Sequence, residues 1–285
     1  MKTEDKHLKE EGQLFIVATP IGNLGDMTYR AVEILQDVDL IAAEDTRVSS
    51  RLLAHYGITT PMFACHEHNE ASAAKKIIER LHSDKSIALI SDAGTPLIND
   101  PGYRLVREVR KAGFNVTPVP GVSSPIAALS ASGLPTDQFT YVGFLPRSGR
   151  ARTELIAELE MASHTHLLLE SPRRLVKTLE DLCASNMAER EACVARELTK
   201  LHETFICGTL AEVTLYFQEL APRGEIVLLI GPAAEREATD AELTKALSAP
   251  DVTSLSPSKR AGSVAKQFNV PKARVYSLLL ELEQK

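Results

Sequence analysis

The chain has 285 residues, a length that predicts two domains and a small appendage, and its 44% hydrophobic and 25% charged residues exclude global disorder. A net charge of −6 excludes a surface coated in positive potential, so any nucleic-acid contact must come from local basic patches. No apolar run approaches the roughly 18–20 residues of a membrane helix, and Met1 to Glu11 lacks the apolar stretch of a signal peptide, which predicts a soluble cytoplasmic protein with no membrane association.

Short apolar runs alternate with helix-period stretches for over two hundred residues. Strands are predicted at Leu14–Ala18, Asp39–Ala43, Met62–Cys65, Ile87–Ser91 and Asn115–Val119, with helices Met27–Gln36, Val48–Tyr56, Glu70–Leu81 and Gly102–Ala112 between them. That βαβα series predicts a parallel sheet covered on both faces. A helix from Ser123 to Ser132 leads into a second set of strands at Phe139–Phe144, His166–Leu169, Ala192–Arg196, Thr204–Cys207 and Ile226–Ile230. The short connection Glu197–Glu203 reads as a hairpin, so the second sheet is predicted to be mixed. The expected fold is therefore two α/β domains followed by a small helical region. Its boundaries are a tail over 1–12, domains over 13–122 and 123–232, a linker over 233–250 and a basic helical region over 251–285. The four cysteines, Cys65, Cys183, Cys193 and Cys207, form no CxxC pair and read as reduced and mostly buried.

In doubly wound sheets ligands collect outside the carboxyl ends of strands. Thr19-Pro20-Ile21-Gly22-Asn23-Leu24 follows the first strand, but GxGxxG and GxxxxGK are both absent. Ser91 to Gly102 packs two carboxylates, Asp92 and Asp100, with two glycines and two prolines at a strand's carboxyl end. It reads either as a ligand grip or, for Asp100 and Pro101, as a cap for the next helix. Pro120-Gly121-Val122-Ser123-Ser124-Pro125 offers free amides at a helix N-terminus.

With Ala43-Glu44-Asp45-Thr46-Arg47, Gly143-Phe144-Leu145-Pro146 and Arg196-Glu197-Leu198-Thr199-Lys200, these loops make six motifs in order over Gln13 to Gly231. The chain thereby resembles the ribosomal RNA small subunit methyltransferases of type I, in the tetrapyrrole-methylase superfamily. The resemblance implies S-adenosylmethionine bound between two α/β domains of tetrapyrrole-methylase type, a homodimer, and 2′-O-methylation of cytidine 1402 (standard rRNA numbering) in the decoding centre of 16S rRNA, within the 30S subunit. By motif position the cofactor residues are Pro20, Ser91, Asp92, Ala93, Gly94, Thr95, Pro96, Ser123, Ser124, Glu170, Gly224 and Glu225.

Activation of a weakly nucleophilic hydroxyl makes Asp45, His66, His68 and Glu197 candidate bases. Arg47 suits a phosphate, with Asp45 orienting it, although Asp45 or Thr46 equally suits a helix cap. His66-Glu67-His68 is not HExxH and no downstream His/Cys cluster completes it, so no metal is expected. Arg147, Arg150 and Arg152 have no acid among them, and Lys200 flanks Glu197; all suit RNA contact, or a solvated surface and a local salt bridge. Val252 to Leu280 carries Lys259, Arg260, Lys266, Lys272 and Arg274 without an Asp or Glu, in a pattern like a helix-turn-helix. RNA binding through Lys259, Arg260, Lys272 and Arg274 competes there with simple packing. Two other functions stay open: a small-molecule methyltransferase acting on a tetrapyrrole, and a non-enzymatic nucleic-acid-binding protein.

Overall fold

The computed structural model describes residues 12–233, 238–268 and 270–283. The predicted 1–12 tail lies outside them, apart from Gly12.

Strands β1 (Gln13–Val17), β2 (Leu40–Ala43), β3 (Met62–Ala64), β4 (Ser86–Ile90) and β5 (Asn115–Val119) form an all-parallel sheet in the order β3-β2-β4-β1-β5. Helices α1 (Tyr29–Asp37), α2 (Thr46–His55), α3 (Glu70–Leu81) and α4 (Tyr103–Lys111) connect them. β4, near the middle, is buried at every position, as its continuous apolar run requires of a strand covered on both faces. Separate clusters pack the two faces. Leu35, Ile41, Leu53 and Ile90 lie on one, and Leu14, Ile77, Leu81, Leu105 and Val109 on the other.

The helix α5 (Ser124–Ser132) crosses to a second sheet. There β6 (Phe139–Phe144), β7 (Thr165–Glu170), β8 (Glu191–Arg196), β9 (Thr204–Thr209) and β10 (Ile226–Ile230) take the order β6-β7-β10-β8-β9, with α6 (Arg150–Met161), α7 (Pro172–Leu182) and α8 (Leu210–Glu219) packed against it. β6 and β7 run parallel, and β10 is antiparallel to both β7 and β8, so the sheet is mixed as predicted. The β8–β9 hairpin is also present. Ala128 and Leu129 of α5 pack with Leu167, Ala195, Val227 and Leu229 on this sheet's inner face.

The structure corrects the cysteine reading. Cys193 and Cys207 occupy paired positions on β8 and β9 and are joined by a disulfide, while Cys65 and Cys183 are free. Spacing along the chain carries no trace of a cross-strand neighbour.

Residues 233–285 form a unit of their own. The stretch expected as a linker holds α9 (Asp240–Leu247), begun by a capping box in which Thr239 and Glu242 satisfy each other's backbone N–H groups. With α10 (Pro250–Thr253), α11 (Pro257–Gln267) and α12 (Lys272–Glu283) it buries Leu243, Leu247, Val264, Val275 and Leu279.

Candidate active site

Seven strands contribute to one cavity of about 380 Å³, a volume typical of small-molecule sites. The first sheet contributes Ile21 after β1, Ala93, Gly94 and Thr95 after β4, and Ser123 and Ser124 after β5; the second contributes Tyr141, Glu170, Leu198 and Gly224 to Val227. The loops are fixed to each other by backbone. Thr19 and Gly94 exchange both N–H···O bonds at 2.9 Å, and the Thr95 hydroxyl donates to the Val122 carbonyl at 3.0 Å. Gly94 needs its φ of +80°, where an added Cβ would also crowd Ile21 at 3.3 Å.

Of the residues assigned to the cofactor by motif, Ala93, Gly94, Thr95, Ser123, Ser124, Glu170, Gly224 and Glu225 line the cavity; Pro20, Ser91, Asp92 and Pro96 do not. Ser91 is buried beneath the loop, accepting the Thr19 hydroxyl on its carbonyl at 3.2 Å. Asp92 turns toward β2, where it accepts the Asp45 N–H at 3.1 Å. Glu170 is buried and fully engaged. It accepts the Ser171 N–H at 2.8 Å and the Thr178 hydroxyl at 2.7 Å, and pairs with Arg174 at 3.3 Å.

None of Asp45, Arg47, His66 and Glu197 lines the cavity. Asp45 is the N-cap of α2, accepting the Arg47 N–H at 2.8 Å, and it forks onto the Arg47 guanidinium at 3.0 and 2.6 Å. Those bonds hold its carboxyl at about 2. His66, half-buried, opens the turn after β3, and its Nδ1 is buried without a partner. Glu197 lies at φ +54° and accepts the Glu225 N–H and the Lys200 ammonium, both at 3.0 Å; the Glu225 N–H is the main cause of its lowered pKa, with Lys200 adding to it. Lys200 also reaches Glu225 at 3.2 Å. A carboxylate held down in this way is a poor proton acceptor near neutral pH.

The basic candidates divide by what they touch. Arg147 and Arg150 are exposed, Arg150 pairing with Glu154 at 2.6 Å. Arg152 is instead buried, bonded to Asp181, Thr178 and the Pro146 carbonyl, because its acid lies on α7 and not in the loop. Lys259 is exposed, and Lys272 donates to Ser258. Arg260 donates to the Leu247 carbonyl and Arg274 pairs with Asp240 at 2.8 Å, so both hold the helical unit together.

Sequence reasoning missed several cavity residues, chiefly Tyr141 and Asn99, and gave Asp100 an alternative cap role it does not fill. The N-cap of α4 is Gly102, and the carboxylate that serves this helix is Glu70, which accepts the Leu105 N–H at 3.0 Å. Asp100 lines the cavity. The signal for Tyr141 was slight: a polar tip on a strand that otherwise reads as core.

The family model described as Tetrapyrrole (Corrin/Porphyrin) Methylases matches residues 13–214. A Synechocystis protein named Ribosomal RNA small subunit methyltransferase I is 45% identical over 275 residues, covering 95% of this chain and 99% of its own. An Escherichia coli O157:H7 protein of the same name is 44% identical over 285 residues, covering 99% of each. The chain belongs to the ribosomal RNA small subunit methyltransferase I branch of the tetrapyrrole methylases. Among solved tetrapyrrole methylases, a cobalt precorrin-4 methyltransferase superposes with a TM-score of 0.61 at 18% identity, over 78% of this chain and 96% of its own. A uroporphyrin-III C-methyl transferase from Thermus thermophilus, complexed with S-adenyl homocysteine, gives 0.56 at 18% identity over 77% and 97%. At such identity these two share the fold.

The cavity fits the methyl donor such a family member needs. Apolar walls at Ile21, Leu169, Leu198 and Val227 alternate with main-chain groups at Gly94 and Gly224. The Tyr141 hydroxyl is buried at the wall with no partner among the described residues.

Proposed function

We propose that the chain transfers a methyl group from S-adenosylmethionine to the ribose 2′-hydroxyl of cytidine 1402 in 16S rRNA, acting as a cytoplasmic homodimer on the 30S subunit without a metal. The observation that carries this reading is the cavity where one end of each sheet meets, in a chain that is 45% identical over nearly its full length to an rRNA methyltransferase.

When bound, S-adenosylmethionine supplies a methyl group on a positively charged sulfur. The residues placed to hold it are Ala93 to Thr95, Ser123 and Ser124 at the start of α5, and Gly224 with Glu225. Ser91 and Asp92 act one step back, fixing the loop and its link to β2. The apolar walls exclude water, and the rigid loops fix the donor against the acceptor, which supplies much of the rate in a displacement of this type. Outside the cavity the Arg47 side chain is 89% exposed, and Asp45 fixes its guanidinium through Nε and Nη2, leaving the remaining N–H groups to meet a phosphate. Arg147 and Arg150 are exposed cations after β6, and Lys259 is another in the helical unit, all suited to phosphates of the RNA.

Incubation with labelled S-adenosylmethionine and either 30S subunits or naked 16S rRNA, followed by nuclease mapping, tests the reading. Label in one ribose-methylated cytidine is the expected result. Absence of label from both, with cofactor binding intact, overturns it in favour of a small-molecule acceptor.

A further inference from the structure

Helix α4 lies beside α3 on one face of the first sheet, and its residues divide sharply between inside and outside. Leu105 and Val109 are fully buried, and Glu70 on α3 accepts the Leu105 N–H at 3.0 Å. Outward, Tyr103, Val106, Arg107, Arg110 and Lys111 line an open groove. The helix carries four cations against a single acid, Glu108, in a chain whose net charge is −6. Only one of the four is neutralised. Lys111 pairs with Glu108 at 2.7 Å and Arg110 reaches the Val116 carbonyl on β5 at 3.4 Å, whereas Arg104 and Arg107 have no partner among the described residues.

Helix electrostatics does not account for this row. Arg110 and Lys111 complement the negative end of the helix dipole in the last turn, but Arg104 stands in the first turn, near the positive end, with no acid there to offset it. Tyr103 adds a large aromatic ring that is 66% exposed. The row also has a direction. Asn99 and Asp100 line the cavity, and α4 begins just beyond them at Tyr103. The joint is fixed by Gly102 at φ +128°, where an added Cβ would meet the Leu89 and Leu97 side chains at 3.2 Å. Tyr103, Arg107 and Lys111 then follow one another at four-residue steps, about 6 Å apart along the helix axis.

We propose that this face of α4 holds single-stranded rRNA on one side of the acceptor nucleotide: Arg107, Arg110 and Lys111 meet its phosphates, and Tyr103, nearest the cavity, stacks an unpaired base. This rests on the methyltransferase reading above. A cationic row interleaved with an exposed aromatic ring matches a single strand, whose bases are free to stack while its phosphates stay outside. A second copy of the chain does not match, because a twofold contact on this face would set the same cations against each other.

Binding of 16S rRNA and of 30S subunits across a salt series tests the proposal. The variant Arg107→Gln/Arg110→Gln/Lys111→Gln should lower the slope of log K against log salt by about 2, at about 0.7 for each lost single-strand phosphate contact, with S-adenosylhomocysteine affinity by calorimetry unchanged. Arg107→Gln alone should lower it by about 0.7, whereas Arg30→Gln, an exposed cation on α1 across the sheet, should leave it unchanged. Tyr103→Ala should raise KM for the rRNA substrate about 5-fold or more at unchanged kcat. An unchanged slope in the triple variant, an equal fall for Arg30→Gln, or a Tyr103→Ala effect on kcat alone overturns the proposal. Loss of binding to phosphatidylserine vesicles by the triple variant, with rRNA binding intact, also overturns it and assigns the face to a lipid surface. The substituted side chains are exposed, and Gln and Ala are good helix formers, so the variants keep the fold. A wild-type protein that labels no rRNA but shows the α4-dependent slope removes the methyltransferase reading and leaves the surface. One that labels rRNA with a slope unmoved by the triple variant removes the surface and leaves the reading.

Discussion

Gly224→Ala tests how the hairpin end of the cavity is held. Gly224 sits at φ +81°, and an added Cβ would stand 2.1 Å from the Glu197 Oε1 and 2.3 Å from its Cδ. Two costs follow. An alanine at positive φ costs about 1 kcal/mol. Glu197 must also withdraw, losing charge-assisted bonds to the Glu225 N–H and to Lys200 worth about 2–3 kcal/mol together. The sum, about 3–4 kcal/mol, corresponds to a fall in Tm of roughly 6–15 °C for a body of this size. Thermal and urea unfolding should be measured for Gly224→Ala, Glu197→Ala and the double variant. In the Glu197→Ala background only the backbone cost remains, so the glycine substitution should then cost about 1 kcal/mol. The pH dependence gives a further check. The folded pKa of Glu197 is lowered, so its contribution is fully present above 4.5 and is lost as pH falls through the folded value. The Gly224→Ala penalty should therefore shrink at low pH. A penalty that is unchanged when Glu197 is absent would refute the steric and electrostatic account.

Arg47→Ala should leave S-adenosylhomocysteine affinity unchanged and raise KM for the rRNA substrate, and by NMR the Asp45 carboxyl should return from about 2 toward 3.8; loss of cofactor binding would show that the Arg47 loop belongs to the cavity. The Asp45 cap is fully formed above pH 3.8 and is lost as pH falls toward 2, so wild type and Arg47→Ala should converge in stability only in that acid window. Arg152→Met should cost about 3 kcal/mol in urea unfolding, because it leaves Asp181 with Lys177 alone and the Pro146 carbonyl with only the 3.5 Å bond from Arg174; a cost near zero would show that the buried arginine only fills space. Lys259→Glu with Lys266→Glu should weaken rRNA binding and lower the salt slope by somewhat less than one per lost phosphate contact, and an unchanged slope would leave the helical unit a packing element.

Much of this architecture is legible in the sequence because the hydrophobic period is strong. α3, β5, β6 and β10 begin and end where the apolar pattern does, and the tight Glu197–Glu203 connection already signals antiparallel pairing. What the sequence hides is contact between distant residues. Arg152 reads as part of an exposed basic loop because its acid, Asp181, lies 29 residues away. Cys193 and Cys207 are 14 residues apart, a spacing that matches no motif until β8 and β9 pair. The helical region looks uniformly basic because Asp240, the partner of Arg274, lies outside the acid-free stretch.

Asp100 shows why a site is harder to read than a fold. Asn99-Asp100-Pro101-Gly102 has the composition of a helix start, and locally nothing separates a capping aspartate from one that faces a ligand. The distinction is made elsewhere, by Glu70 on α3, which takes the Leu105 N–H and leaves Asp100 free of the helix. It is made again on β6, where Gly143 has no side chain to bar Asn99 and Tyr141 presents a hydroxyl with no partner among the described residues. Each of these residues has a bland local reading: a surface acid, a strand glycine, a core tyrosine. Their arrangement is what gives the cavity a carboxylate that pairs with no cation among the described residues. A carboxylate of that kind in a partly apolar cavity is stabilised by a cationic ligand, and the sulfonium of a methyl donor is such a cation.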